Sequence, residues 1–343
     1  MPALLRYRHL SNAFILGSLA QSKSHARVRG QGLARILVTG AAGFIGRALC
    51  SGLVERGHTV RGLTRGPAEP IPGVELRPIG DIGPRTDWSG HLGGIEIVIH
   101  LANRAHRPDR AVPSNTEPAA AAGLASAAAN AGVRRIVQMS SVRAMGDATL
   151  PGIPFRCSDP PVPRDAYGHS KLAIERALQI AARQIGLEVV ILRPPLVYGP
   201  GVKANFRALL RLAASGLPLP LAGIDNRRSL IFLDNLVDLT ARVCTDHRAG
   251  GRVLLARDTV DWSTPELIRV LAEGLGRTAR LFTAPKGAFG ALRVLPGLGP
   301  LIKRLTLSLQ VDDEATRALL DWLPPVSSEI GLAATARAFR VRS

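Results

Sequence analysis

Two short stretches near the middle of this chain hold residue types that can move a proton. Ser140 and Ser141 close one apolar run, and Tyr167-Gly168-His169-Ser170-Lys171 follows. A Tyr and a Lys four residues apart share one face of a helix, so an ammonium can lie beside a phenol. A free phenol ionises near pH 10 and is a poor base at neutrality. A nearby positive charge favours the phenolate, and bringing its pKa down by two to three corresponds to about 3–4 kcal/mol of interaction. A phenol poised in that way does general acid–base work, and a serine hydroxyl beside it can fix the reacting oxygen. A Tyr-x-x-x-Lys string alone is common, so its meaning rests on what surrounds it.

The elements that must position this pair begin at Arg35. Ile36-Leu37-Val38 reads as a buried strand and runs straight into Gly40-x-x-Gly43-x-x-Gly46. Phe44, Ile45, Leu49, Leu53 and Val54 then recur at helical spacing. Strand, glycine turn and helix make the context of a dinucleotide-binding loop. Gly40 permits the tight turn, Gly43 lets backbone approach a pyrophosphate, and Gly46 lets helix and strand pack closely. The helix N-terminus offers N–H groups and partial positive charge to phosphates.

Strand and helix alternate from there, the pattern of a doubly wound parallel sheet of the α/β class. The pattern predicts strands over Thr59–Leu63, Val74–Ile79, Ile95–Leu101, Arg134–Ser140 and Leu187–Leu192. It predicts helices over Glu117–Ala131, ending at Gly132, and over Tyr167–Ile185. After Tyr198-Gly199-Pro200-Gly201 the alternation fades into helices mixed with short strands: Phe206–Ser215, Asp234–Thr245, Thr264–Leu275 and Ile330–Ala338. The organisation expected is a dinucleotide-binding Rossmann domain over 33–200 and a smaller mixed α/β substrate lobe over 201–343, partly interwoven with the first.

Residues 1–32 read as a disordered basic extension, or as the product of an early start codon, with Arg6, Arg8, Lys23, Arg27 and Arg29 and no acid before Glu55. The apolar run Ala13–Ala20 is far shorter than the ~20 residues of a membrane span. Residues 281–310 are apolar and basic but broken by glycine and proline, which favours a core or dimer-facing element over a membrane-surface helix. Cys50, Cys157 and Cys244 lie far apart with no metal or disulfide spacing, and the eight histidines make no ligand motif, so no metal is expected. The net charge of +18 suits an anionic substrate, while the 4% aromatic content leaves no basic–aromatic interleaving for nucleic acid.

The glycine spacing, with Ser140-Ser141 and Tyr167-x-x-x-Lys171, resembles the short-chain dehydrogenase/reductase superfamily in its extended branch, which acts on nucleotide sugars. The resemblance spans residues 34–335 and implies Ser141, Tyr167 and Lys171 as the catalytic set. It implies cofactor contacts from Gly40, Gly43, Phe44, Ile45, Gly46, Asp81, Ile82, Leu101, Ala102, Asn115 and Pro194, as well as from Tyr167 and Lys171. An Asp or Glu about 20 residues past the loop usually holds the adenosine ribose of NAD, and an Arg accommodates the 2′-phosphate of NADP. Thr64-Arg65 stands there, so Arg65, aided by Arg61, suits NADP, with NAD left open. Asn205 and Arg228 look like diphosphate-binding residues of UDP-sugar enzymes, and Leu319–Pro325 resembles the family's closing element.

The chemistry implied is hydride transfer at C4 of a UDP-sugar. Elimination is disfavoured, because Val142-Arg143-Ala144 stands where dehydratases carry their acid. Two enzymatic readings remain. One is a 4-ketoreductase forming UDP-N-acetylquinovosamine, as in O-antigen synthesis, favoured by Thr64 and by Leu196 where epimerases place an asparagine. The other is a 4-epimerase with bound NAD. A non-catalytic cofactor-binding relative is the reading of another class. A cytoplasmic homodimer without an integral membrane segment is expected, with attachment to the inner-membrane surface as a lesser alternative.

Overall fold

Strands that are apolar at nearly every position must be covered on both faces, and the central strands here are of that kind. In the computed structural model, which describes residues 33–102, 116–285, 287, 289–290 and 299–341, the first half gives β1 (Arg35–Thr39), α1 (Phe44–Glu55), β2 (Thr59–Thr64), β3 (Val74–Pro78), β4 (Ile97–His100), α2 (Thr116–Asn130), β5 (Arg135–Met139), α3 (Ala166–Ile185) and β6 (Glu188–Arg193). The second half gives β7 (Leu196–Tyr198), α4 (Ala204–Ala214), β8 (Leu230–Phe232), α5 (Leu233–Thr245), β9 (Val253–Leu255), α6 (Thr264–Gly274), α7 (Gly299–Thr306), α8 (Glu314–Leu320) and α9 (Ser328–Val341). Seven strands form one parallel sheet in the order β3-β2-β1-β4-β5-β6-β9. Strand order reverses between β1 and β4, and that crevice is where ligands bind in such sheets.

Side chains alternate between the two faces, as the strand period dictates. Ile36, Val38, Ile97, Ile99, Val137, Val190 and Leu192 join the cluster that includes α1, α5 and Trp322. Leu37, Val98, Ile136, Val189 and Ile191 join the cluster that includes α2 and α3. Each such side chain, removed from water, contributes about 1.5–3 kcal/mol. The helix that carries the Tyr–Lys pair has well-defined ends. Asp165 caps α3 by accepting the Gly168 N–H at 2.8 Å, and Gly186, at φ +70°, closes it in the left-handed conformation.

Beyond β6 the chain builds a third core around Tyr198, Phe206 and Phe232, with the Tyr198 and Phe206 rings stacked 5.3 Å apart. β7 and β8 pair in parallel there. Buried Asp258 ties this core together, accepting from Tyr198 Oη at 2.7 Å, Asn235 Nδ2 at 2.7 Å and the Phe232 N–H at 3.1 Å. The described residues from Leu33 onward cohere as one unit, and β9, from the second half of the chain, completes the sheet begun by the first. The return of β9 to the edge beside β6 is not visible in the sequence, because three residues are too few to show a period. β4 is shorter than the run Ile95–Leu101 suggests, since the Leu101 and Ala102 N–H groups turn to the Thr39 hydroxyl. No helix among the described residues is long and apolar enough to cross a membrane.

The glycine loop makes the tightest contact between strand and helix. A Cβ on Gly46 would lie 2.2 Å from the Gly40 carbonyl oxygen and 2.9 Å from Ala41 Cα, both backbone atoms that cannot swing aside. Gly46→Ala is therefore expected to destabilise the protein by about 1–3 kcal/mol. Gly66→Ala, which meets nothing within 4 Å, should stay within about 0.5 kcal/mol of the parent. Thermal unfolding of the two variants side by side checks this.

Candidate active site

The first part of the site is a cavity of about 330 Å³ at the β1/β4 crevice, lined by Gly40, Gly43, Thr64, Arg65, Asp81, Ile82, Leu101 and Ala102 among others. Gly40 adopts φ +71° with the Ala102 backbone N 3.3 Å from where a Cβ would be. Gly43 caps α1 without a side chain, which leaves the N-terminal N–H groups to a ligand. Phe44 and Ile45 are half-buried, Gly46 is buried, and Phe44 packs against the third core. This cradle fits a dinucleotide: Gly40, Gly43 and an N-terminus of α1 without a side-chain cap border one cavity. A larger, shallower hollow of about 580 Å³ lies beyond Asp81 beside Arg85 and His91. It is more open and lacks the glycine cradle, so the smaller cavity is the better site. Asn115 lies outside the described residues.

Thr39 fixes the floor of this cavity. Its hydroxyl oxygen accepts the N–H groups of Leu101 and Ala102, each at 3.1 Å, and lies 2.9 Å from His100 Nδ1. With both lone pairs engaged, the hydroxyl donates to Nδ1, which is then the unprotonated ring nitrogen. Burial first, and the charge of Lys171 second, push the His100 pKa down to about 4, so the ring is neutral.

At the tip of β2, Thr64 donates its hydroxyl inward to the Gly66 carbonyl at 2.7 Å. Arg65 is half-exposed and pairs with Asp81 at 2.8 Å. Arg61 does not point to a cofactor phosphate. It bonds Glu75 at 2.8 Å and the His91 carbonyl at 2.6 Å, which corrects the expectation that it aids Arg65.

The structure brings Ser141, Tyr167 and Lys171 together. Tyr167 is hydrogen-bonded to Ser141, and Lys171 Nζ lies 5.8 Å from the Tyr167 ring centre. Lys171 is buried and donates to the Met139 carbonyl at 3.0 Å. Burial lowers its pKa to about 8, against the opposing pull of Glu117 and Glu175. The Tyr167 pKa is raised, not lowered: burial is the largest cause, and the Ser141 bond and the Arg143 charge oppose it. Of the two charges expected to poise this phenol, Lys171 and an oxidised nicotinamide ring, Lys171 does not bring its pKa down. Pro194 is buried and its carbonyl accepts the N–H of Val142, the residue after Ser141, at 2.9 Å.

Several groups here carry no local sequence signal. Glu117, in the first turn of α2, accepts a short bond from Ser170 and acts electrostatically on both Tyr167 and Lys171. Arg193 Nε and Nη2 grip buried Glu175 at 3.0 and 2.5 Å, and Ser140 donates a short bond to the same carboxylate. Arg143 gives its N–H to Ser141 Oγ at 3.2 Å and its guanidinium to Asp165 at 2.5 Å. A Cβ on Gly168 would meet the Arg143 carbonyl oxygen at 2.3 Å. One residue thus couples the serine to the N-terminus of α3, where Tyr167 sits.

Toward the second half, Asn205 and Arg228 meet through a residue the sequence reading passed over. Arg304 Nη1 donates to Asn205 Oδ1 at 2.9 Å, and the Arg304 carbonyl accepts a short bond from Arg228. Burial, then the charges of Arg143 and Arg304, bring the Arg228 pKa down to about 10. Arginines crowded closely enough to oppose one another's ionisation form a site for an anion. No cluster of metal ligands occurs among the described residues.

The model of the family described as "NAD dependent epimerase/dehydratase family" matches residues 36–256. A UDP-glucose 4-epimerase of Vibrio cholerae is 39% identical over 89% of this chain and 95% of its own. A UDP-2-acetamido-2,6-beta-L-arabino-hexul-4-ose reductase of Pseudomonas aeruginosa is 26% identical over 76% of this chain and 63% of its own. A solved structure of MoeE5 in complex with UDP-glucuronic acid and NAD superposes with a TM-score of 0.72 at 26% identity, covering 90% of this chain and all of that one.

Two outcomes are expected at the pair itself. The folded pKa of Lys171, about 8, lies below its ordinary 10.5, so the unfolded chain holds more protons between those values and stability should rise with pH across them. Comparing melting temperatures of the parent and Lys171→Met from pH 8 to 10 should show this gain only in the parent. Arg143→Met removes a charge that lowers the Tyr167 pKa, so the alkaline limb of the pH–rate profile should move to higher pH as kcat falls.

Proposed function

The chain belongs to the NAD dependent epimerase/dehydratase family, and from that premise we propose that it is an enzyme of hydride transfer at C4 of a UDP-linked sugar, acting as a 4-ketoreductase. The nicotinamide, when bound, supplies the hydride. Tyr167 gives its phenolic proton to the C4 oxygen, so the ketone gains one hydride at carbon and one proton at oxygen. Ser141 hydrogen-bonds that oxygen and holds it against Tyr167. Lys171 holds the nicotinamide ribose, and Asp165, Arg143 and Glu117 set the field around the phenol. Gly40, Gly43, Gly46, Asp81, Ile82, Leu101 and Ala102 cradle the dinucleotide. Arg228 and Asn205, with Arg304 between them, take the diphosphate by charge-assisted bonds.

The observation that carries the reductase reading is the tip of β2. β2 itself runs out at Thr64-Arg65 without a carboxylate for the adenosine ribose, the Thr64 hydroxyl is given to the Gly66 carbonyl, and the nearby Asp81 carboxylate is paired with Arg65. A cofactor bound without that grip can exchange each turnover, as a reductase requires, and Arg65 would suit NADPH by exchanging Asp81 for the 2′-phosphate. Leu196, in place of an epimerase asparagine, supports the same reading. The substrate proposed is UDP-4-keto-6-deoxy-GlcNAc, reduced to UDP-N-acetylquinovosamine by a cytoplasmic homodimer that serves O-antigen synthesis. The second reading, a UDP-hexose 4-epimerase that retains NAD, is favoured by the Vibrio cholerae relative.

Nicotinamide content of freshly desalted protein separates the two. Empty protein that binds NADPH or NADH reversibly and consumes it with the 4-ketosugar is the expected result. Near-stoichiometric retained NAD, with interconversion of UDP-hexoses, would move the assignment to the epimerase. In either case Tyr167→Phe should lower turnover by about 10²–10⁴, and full activity without the phenol would remove Tyr167 from the mechanism.

A further inference from the structure

Charge is unevenly placed along this chain. No Asp or Glu occurs from Val189 to Ile224 or from Gly274 to Val311, so all 26 acidic residues lie elsewhere. The fold then sets these two acid-free segments side by side along α4. At the N-terminal end of α4, Asn205 is bonded to Arg304 of α7. At its C-terminal end, Arg277 Nη1 donates to the Ala214 carbonyl at 2.5 Å. Just beyond, the Leu219 N–H bonds the Arg280 carbonyl at 2.8 Å, and the Phe282 N–H bonds the Leu219 carbonyl at 3.0 Å.

α4 buries Phe206, Leu210 and Ala213 on one side and exposes Arg207 and Arg211, one turn apart, on the other. Its 11 residues span about 16 Å. Arg277, Arg280 and Lys303 are exposed on the elements flanking it. Large apolar side chains stand out among these cations: Leu217, Phe282 and Leu301 are 64%, 48% and 45% exposed. Leu301 and Arg304, three residues apart on α7, share a face.

With Phe282 and Leu301 exposed rather than in the core expected for residues 281–310, we propose that this face, built on α4, residues 215–222, residues 277–283 and α7, seats the protein on a bilayer with anionic head groups. Guanidinium and ammonium groups freed of competing carboxylates meet lipid phosphates, and Leu217, Phe282 and Leu301 enter the boundary between head groups and acyl chains. A polynucleotide offers phosphates but gives the three apolar side chains nothing to enter. The diphosphate of a single sugar nucleotide engages Arg228 and Arg304 at most and leaves Arg207, Arg211, Arg277 and Arg280 unused. The seat thus borders the diphosphate site at Asn205 and Arg304 but rests on cations outside it, and it stands or falls without the catalytic reading.

Co-sedimentation of the full chain with vesicles tests it. Binding to phosphatidylcholine vesicles containing phosphatidylglycerol, none to phosphatidylcholine alone, and weakening by salt are expected. Each surface cation contributes about fivefold to such binding, so Arg207→Glu with Arg211→Glu should weaken it by more than about twentyfold. Phe282→Ser should weaken binding without altering its salt dependence. Both variants should keep the activity of the parent on soluble substrate, which verifies their fold. No binding to phosphatidylglycerol vesicles overturns the proposal. So does undiminished binding by both variants, which would place the contact elsewhere, or capture of a DNA duplex in preference to vesicles.

Discussion

The buried ion pair between Arg193 and Glu175 holds the reacting groups in register. Arg193 ends β6, Glu175 lies one turn beyond Lys171 on α3, and both are almost wholly removed from water. Two charges can occupy such a place only if each satisfies the other and the remaining lone pairs are filled, which the two Arg193 bonds and the Ser140 hydroxyl accomplish. The pair thereby ties α3, which carries Tyr167 and Lys171, to the strand tips that carry Ser141 and Pro194. Loss of either partner would strand a naked charge, so the geometry of the proton-transfer pair is bound to the stability of the core beneath it.

On that base the site is assembled from polar groups that serve more than one neighbour. The Thr39 hydroxyl joins β1 to the turn after β4 and sets the tautomer of His100. Asp165 ends α3 and neutralises Arg143, whose own N–H holds Ser141. These shared contacts explain how a parallel sheet, whose strand ends are otherwise independent, presents one rigid rim to a ligand. Farther out, Arg228 and Arg304 bond to neutral groups, Arg228 to the Arg304 carbonyl and Arg304 to Asn205. Arg143, Arg228 and Arg304 crowd close enough to depress the ionisation of Arg228, an arrangement that an anion relieves.

Much of this was legible in the chain because the signals are local. The glycine spacing after Ile36–Val38 and the four-residue spacing of Tyr167 and Lys171 each lie within one turn or one strand–helix junction. What was not legible depends on distance along the chain. Glu117 meets Ser170 across 53 residues, Arg304 meets Asn205 across 99, and β9 joins β6 sixty residues after it. The direction of the Tyr167 shift was missed for a related reason: charges can be counted in a sequence, whereas desolvation exists only once the fold has closed around the ring. Arg61 was misplaced because its partners, Glu75 and His91, come from the next strand and the loop beyond it.

The order in which the chain covers its sheet also bears on how it is made. The face formed by Val137, Val190 and Leu192 is roofed in part by α5, which begins at Leu233 and ends at Thr245. A ribosome adding 5–20 residues each second needs about 3–10 seconds to pass from β6 to the end of that helix. Through that interval a nearly complete parallel sheet is present with one apolar face covered by α1 but not yet by α5. A nascent chain of this design therefore has a window in which chaperone capture and self-association compete with completion of the fold.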